Sequence, residues 1–205
     1  MTNIKLCGMM RPEDIETVNT LKPEYIGFIF WEKSFRNLSR DKALELKKCL
    51  DTSIKTVGVF VDAPIDTVVS LAQDKIIDVI QLHGSEDENY INTVRTLAPQ
   101  GTVIIKAFKV TTAEEVQASL KCSADYLLYD PGKGSGNTFN WELIREVKRD
   151  YFLAGGLNCD NIKEAVECLH PYAVDVSSGI ETDKQKDADK MKKFVEIVRS
   201  LPERN

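Results

Sequence analysis

Leu153-Ala154-Gly155-Gly156 closes one short apolar run, and Val174-Asp175-Val176-Ser177-Ser178-Gly179 closes the next. Each run has the length of a buried strand, and each turn leads into a segment with helical spacing. Backbone N–H groups at such turns are free to converge on an anion. A lone Gly-Gly signals no more than a tight strand exit. Two such turns in the last two units predict a phosphate cradle made by Gly155, Gly156, Ser178 and Gly179, because the phosphate site of a (β/α)8 barrel follows strands 7 and 8.

The rest of the chain is then a counting problem. Short β-branched runs alternate with longer amphipathic stretches, the pattern of repeated βα units around a parallel sheet. The expected strands are Asn3–Cys7, Tyr25–Phe30, Thr56–Val61, Asp78–His83, Thr102–Phe108, Tyr126–Asp130, Tyr151–Ala154 and Ala173–Ser177. Helix starts lie between them. Arg11-Pro12-Glu13-Asp14 places proline and acids in a first turn, and Ser39 is an N-cap. Ser85-Glu86-Asp87-Glu88 and Thr112-Ala113-Glu114-Glu115 have capping-box spacing. Asn158 opens the segment through Leu169, and Asp183 or a polar neighbour opens the last helix.

An open doubly wound sheet is the alternative, but no G-x-G-x-x-G follows the first strand, and no Pro- or Gly-rich linker divides the chain. The expected fold is therefore α/β, a single-domain (β/α)8 TIM barrel with a parallel eight-stranded core over residues 1–205. The 205 residues suffice for one core.

Composition narrows the partners. A net charge of −5 offers no basic field for nucleic acid. The N-terminal stretch has neither a signal-peptide core nor a membrane span, so cytoplasm is the default expectation. Five scattered cysteines and two histidines suggest neither a disulfide framework nor a metal centre. The expected partner is a small phosphorylated molecule, with no cofactor; monomer and homodimer are both left open.

In a barrel the C-terminal strand ends share one face. Lys5 and Cys7 point to the same side of the first strand. At an inward-facing rim the Cys7 thiol is a nucleophile, a base or a small buried hydrophobe. Asp130 ends the sixth strand, either capping the loop that follows or supplying the acid that complements Cys7. Arg36, at the end of Phe30-Trp31-Glu32-Lys33-Ser34-Phe35-Arg36, has the planar fork that suits a substrate carboxylate. Gln81 and His83 share a face at the rim, His83 either binding substrate or holding its loop. Asp175 is inward by parity with Ser177 and available to Lys5 or a substrate hydroxyl. Cys49, Cys122, Cys159 and Cys168 are expected as exposed thiols without an assigned role, serving as packing or surface residues.

In this order the motifs resemble the phosphoribosylanthranilate isomerases of tryptophan biosynthesis. The likeness runs through Lys5-Leu6-Cys7-Gly8, Ser34-Phe35-Arg36-Asn37-Leu38-Ser39, Val79-Ile80-Gln81-Leu82-His83-Gly84, Gly134-Ser135-Gly136-Asn137, Ala154-Gly155-Gly156-Leu157-Asn158 and Val174-Asp175-Val176-Ser177-Ser178-Gly179-Ile180-Glu181. The resemblance implies an Amadori rearrangement with Asp130 as general acid and Cys7 as general base. It also implies that Arg36 holds the anthranilate carboxylate and that the Gly134-to-Gly136 loop covers the sugar. A free thiol has a pKa of about 8.5, so a base role near neutrality leads us to expect Lys5 to lower it.

Two other readings compete. Another phosphosugar isomerase or epimerase shares the cradle, but Cys7 and Arg36 stand where a carboxylate or metal ligands would be wanted. A noncatalytic phosphosugar sensor would keep the cradle and lose the acid or the base.

Overall fold

The computed structural model describes residues 1–130 and 141–202. Eight strands close into a parallel barrel in chain order. They are β1 (Asn3–Cys7), β2 (Tyr25–Phe30), β3 (Lys55–Phe60), β4 (Val79–Leu82), β5 (Val103–Phe108), β6 (Tyr126–Tyr129), β7 (Tyr151–Leu153) and β8 (Ala173–Val176). Closure is made between β1 and β8, where Lys5 lies opposite Asp175. The expected strands fall within a residue or two of these bounds.

Helices α1 (Pro12–Leu21), α2 (Arg40–Cys49), α3 (Ile65–Gln73), α4 (Glu88–Leu97), α5 (Ala113–Ser119), α6 (Ile162–Leu169) and α7 (Ala188–Ser200) cover the outside. Between β6 and β7 the described residues form a 3-10 turn, Trp141–Leu143. Another, Ser178–Ile180, follows β8 and leads into a small hairpin, β9 (Glu181–Thr182) with β10 (Gln185–Lys186).

The caps follow the sequence at several helices. Pro12 occupies the first turn of α1, Ser39 accepts from Lys42 N, and Thr112 forms a capping box with Glu115. Three starts differ. Asp87, not Ser85, caps α4 by accepting from Tyr90 N, which frees Glu86 to turn inward. Asn158 makes a turn whose Oδ1 accepts from Asp160 N and Asn161 N, and α6 begins only at Ile162. Asp187 caps α7, because Asp183 and Lys184 are spent on the hairpin turn, with φ of 52° and 64°.

The period-2 alternation sorts the strand residues into two cores. Ile4, Leu6, Ile26, Phe28, Ile80, Leu82, Ile104 and Val174 face outward and pack with Ile15, Val18, Leu46, Val94, Val166 and Phe194 of the helices. Tyr25, Val57, Val79, Ile105, Leu128, Phe152 and Ala173 fill the barrel interior. Toward the N-terminal strand ends that interior closes with rings: Phe152 packs edge-on against Tyr25 and Tyr126, and Tyr126 stacks on Tyr172. The apolar plug leaves the C-terminal ends as the face where polar side chains enter the barrel.

Candidate active site

The same alternation carries Lys5 and Cys7 of β1, Gln81 of β4, and Asp175 of β8 into the barrel. It also turns Asp130, which follows Leu128 by two residues, toward its mouth. Lys5 is fully buried and pairs with Asp175, Nζ to Oδ2 2.8 Å. Burial alone would lower the Lys5 pKa; the Asp175 charge and the neighbouring Cys7 outweigh it, so its pKa is raised above the ordinary lysine value. A charge pair this deep is held by its geometry, and removing one partner of such a pair costs about 3–5 kcal/mol.

Cys7 lies one step above that pair. A Cβ on Gly27 of β2 would sit 2.5 Å from the thiol sulfur, so glycine there makes the space in which the thiol rests. The chain then turns at Gly8 with φ of +81°, where a side chain would collide with Arg36 Cδ. The expectation that Lys5 brings the thiol below its ordinary value is corrected here. Lys5 and Lys186 both favour the thiolate, but burial is the larger effect, and the thiol stands above 9.0.

Asp130 lies at the end of β6, with β7 and β8 between it and β1 on one side and β2 to β5 on the other. Its Oδ2 is 3.5 Å from His83 Nε2, and His83 Nδ1 is 3.0 Å from Gln81 Nε2. With the Gln81 amide donating, the imidazole proton faces Asp130. His83 thus joins the Asp130 carboxylate to the fully buried Gln81 amide. Two buried oxygens, Gln81 Oε1 and Asp175 Oδ1, accept no hydrogen bond from a described residue. Such atoms are costly to bury unless a ligand group donates to them.

The two glycine turns meet. A Cβ on Gly179 would fall 1.9 Å from Leu157 O, so the backbones after β7 and β8 are in contact. Gly155 and Gly156 have φ of +82° and +68°, the left-handed region that favours glycine. Gly156 and Ser178 are exposed at the rim. The expected loop Gly134 to Gly136 lies outside the described residues.

Arg36 reaches the mouth but is already engaged. Its Nε and Nη2 donate to Glu181 Oε1 and Oε2 at 2.7 and 2.6 Å, and its guanidinium lies 4.1 Å over the exposed Phe35 ring. Glu181 and Lys186 were not singled out from the sequence as site residues. Glu86, which has no role of its own in the capping spacing of Ser85-Glu86-Asp87-Glu88, is buried, accepting from Asp62 N, Gly84 N and Lys106 Nζ. It ties the loop after β3 to the loop that carries His83. Cys122 is buried in the core between strands and helices rather than exposed, and Cys159 is half-buried; Cys49 and Cys168 are exposed.

Among the described residues no helix is long and apolar enough to cross a membrane. A family model described as N-(5'phosphoribosyl)anthranilate (PRA) isomerase matches residues 4–197. The N-(5'-phosphoribosyl)anthranilate isomerase of Endomicrobium trichonymphae is 43% identical over 206 residues, covering 98% of this chain and all of the relative. The phosphoribosyl anthranilate isomerase of Thermotoga maritima superposes with a TM-score of 0.88 at 31% identity, over 98% of this chain and 100% of that one. A phosphoribosyl anthranilate isomerase in complex with reduced 1-(o-carboxyphenylamino)-1-deoxyribulose 5-phosphate gives 0.87 at 30% identity with the same coverage. The chain belongs to the N-(5'-phosphoribosyl)anthranilate isomerase family.

Proposed function

We propose that the barrel, acting as one domain, converts N-(5-phosphoribosyl)anthranilate to 1-(2-carboxyphenylamino)-1-deoxyribulose 5-phosphate, with Asp130 as general acid and Cys7 as general base. As a member of its family the chain is an isomerase of tryptophan biosynthesis. The observation that carries the residue assignment is that Cys7 stands at the inward-facing end of β1 and Asp130 just past the end of β6 against His83, with the paired glycine turns of the two intervening strands between them.

The chemistry needs an acid, a base and an anion anchor. Asp130, in its acid form, protonates the furanose ring oxygen as the bond from that oxygen to the sugar's first carbon breaks. The ring opens to an iminium, which acidifies the adjacent C2 hydrogen. The Cys7 thiolate removes that proton, the electron pair moves to form the enolamine, and tautomerisation gives the ketone. With a pKa of about 8.5 a free thiol is roughly 3% ionised at pH 7, and burial lowers the share further. Lys5 and Lys186 are the cations that work against burial.

The backbone of Gly155, Gly156, Ser178 and Gly179 holds the phosphate. Asp175 Oδ1 and Gln81 Oε1 accept from sugar hydroxyls, which supplies the donors those buried oxygens lack. Arg36 offers the anthranilate carboxylate the guanidinium edge that Glu181 leaves uncovered. The small phosphorylated substrate needs no basic surface beyond this mouth. Five free thiols fit a reducing compartment such as the cytoplasm.

The test is to mix the purified protein with freshly prepared N-(5-phosphoribosyl)anthranilate and follow the decay of its fluorescence. Decay that scales with protein concentration is expected. Decay at the uncatalysed rate would remove the reading.

A further inference from the structure

Arg36, Glu181 and Lys186 form one buried charge cluster, their side chains 13%, 7% and 1% exposed. Glu181 takes both Nε and Nη2 of Arg36, and its Oε1 also accepts Lys186 Nζ at 2.6 Å. Lys186 Nζ further donates to Ser177 O and Oγ at 3.0 and 3.3 Å, the residue between Asp175's strand and the turn at Ser178. From outside, Arg11 Nη2 donates to Lys186 O and Arg11 Nη1 to Gln185 Oε1, so the hairpin that delivers the lysine is itself pinned.

We propose that Lys186 sets the charge of the Arg36 arm and is thereby a specificity-determining positioning residue for a substrate carboxylate. An Arg36–Glu181 pair alone is neutral, and a carboxylate arriving at the remaining guanidinium edge would meet the Glu181 charge beside it. With Lys186 the cluster holds two cations and one anion, so one positive charge is left for the ligand. Glu181 orients the fork, and Lys186 cancels the electrostatic penalty that this orientation brings. A unit charge some 6–8 Å from a ligand carboxylate changes affinity roughly ten- to a hundredfold at the effective dielectric of such sites. A lysine serving only to fasten the hairpin would have no reason to end on the carboxylate that binds Arg36.

The inference rests on the proposed reaction, and the test separates the two. Wild-type protein is first assayed with N-(5-phosphoribosyl)anthranilate; a lack of turnover defeats the reaction assignment, whatever the variants do. Lys186→Met and Lys186→Gln are then compared for binding of reduced 1-(o-carboxyphenylamino)-1-deoxyribulose 5-phosphate and of its counterpart lacking the carboxyl group. The carboxylated compound should weaken roughly ten- to a hundredfold and the other by less than about threefold, and KM should rise; the loss of a cation near Cys7 lowers kcat as well. Glu181→Gln combined with Lys186→Met restores one net positive charge and should recover a large part of the lost affinity. Equal weakening of both compounds, a fall in kcat at unchanged KM, or a double variant no better than Lys186→Met would each overturn the proposal.

Discussion

The two ends of the barrel are built from the same strands by the same alternation, yet they do opposite work. At the N-terminal end the inward positions are Tyr25, Tyr126 and Phe152, joined by Tyr172, in edge-on and stacked contacts. At the C-terminal end they are Cys7, Gln81, Asp130 and Asp175, with a buried ion pair and two oxygens that lack donors among the described residues. One end satisfies itself, and the other is the end that the proposed substrate would complete. Apolar packing gains stability with every contact, whereas buried polar groups held for a substrate cost stability until it arrives. The lesson is a division of labour along each strand: mutations at one end should read out in folding and at the other in turnover.

The sharpest tests come from trying to break that division. Asp130→Asn keeps the shape of a half-exposed side chain and removes the acid, so kcat should fall about 10²–10⁴-fold while stability moves by less than about 0.5 kcal/mol. Enzyme assay and thermal melting on the same sample decide it. Phe152→Ala at the other end should cost about 3–5 kcal/mol in urea unfolding, with kcat of the folded fraction near wild type. Lys5→Met is where the two ends stop being separable. It strands the Asp175 charge, so about 3–5 kcal/mol of stability and most of the activity should go together.

Smaller effects follow from pH. Because burial holds the Cys7 thiol above its ordinary value, the thiolate absorbance that wild type shows over Cys7→Ala should appear only above about pH 9; a thiolate signal already present at neutrality would contradict this. Burial raises the Glu181 carboxyl, but Arg36 and Lys186 outweigh it and leave its pKa below 4.5. The stabilisation is therefore fully present above 4.5 and lost as pH falls through the depressed value. Glu181→Gln should flatten this acid limb of an unfolding-versus-pH curve; an unchanged limb would show that the cluster contributes nothing there.

What was legible in the sequence follows the same physics. Strands announced themselves because each is apolar, short and bounded, and parity then placed Lys5, Cys7, Gln81 and Asp175 on one face. Ser39 and Thr112 were legible as caps because capping is local. The burial of Glu86 was not legible inside the capping spacing of Ser85-Glu86-Asp87-Glu88, because only the tertiary fold brings Lys106 and the amides of Asp62 and Gly84 to it. Glu181 stood in a quoted motif without a role, and Lys186 was hidden altogether. The hairpin that brings them together turns on Asp183 and Lys184, both at positive φ, without the glycine that usually marks such a turn. With that signal missing, Asp183 and its polar neighbours were equal candidates for the start of the last helix, and Asp187 is the one that caps it. Arg36 was placed at the mouth by its loop, but its binding to Glu181 is a contact across 145 residues.

The most direct measurement follows a substrate labelled with deuterium at C2 of the ribose. Wild type should release the label to water during turnover. In Cys7→Ala, release and turnover should fall together by about 10²–10⁴-fold, with the reduced product analogue bound within a fewfold of wild-type affinity. Label release at the wild-type rate from Cys7→Ala would contradict the assignment of the thiol as the base.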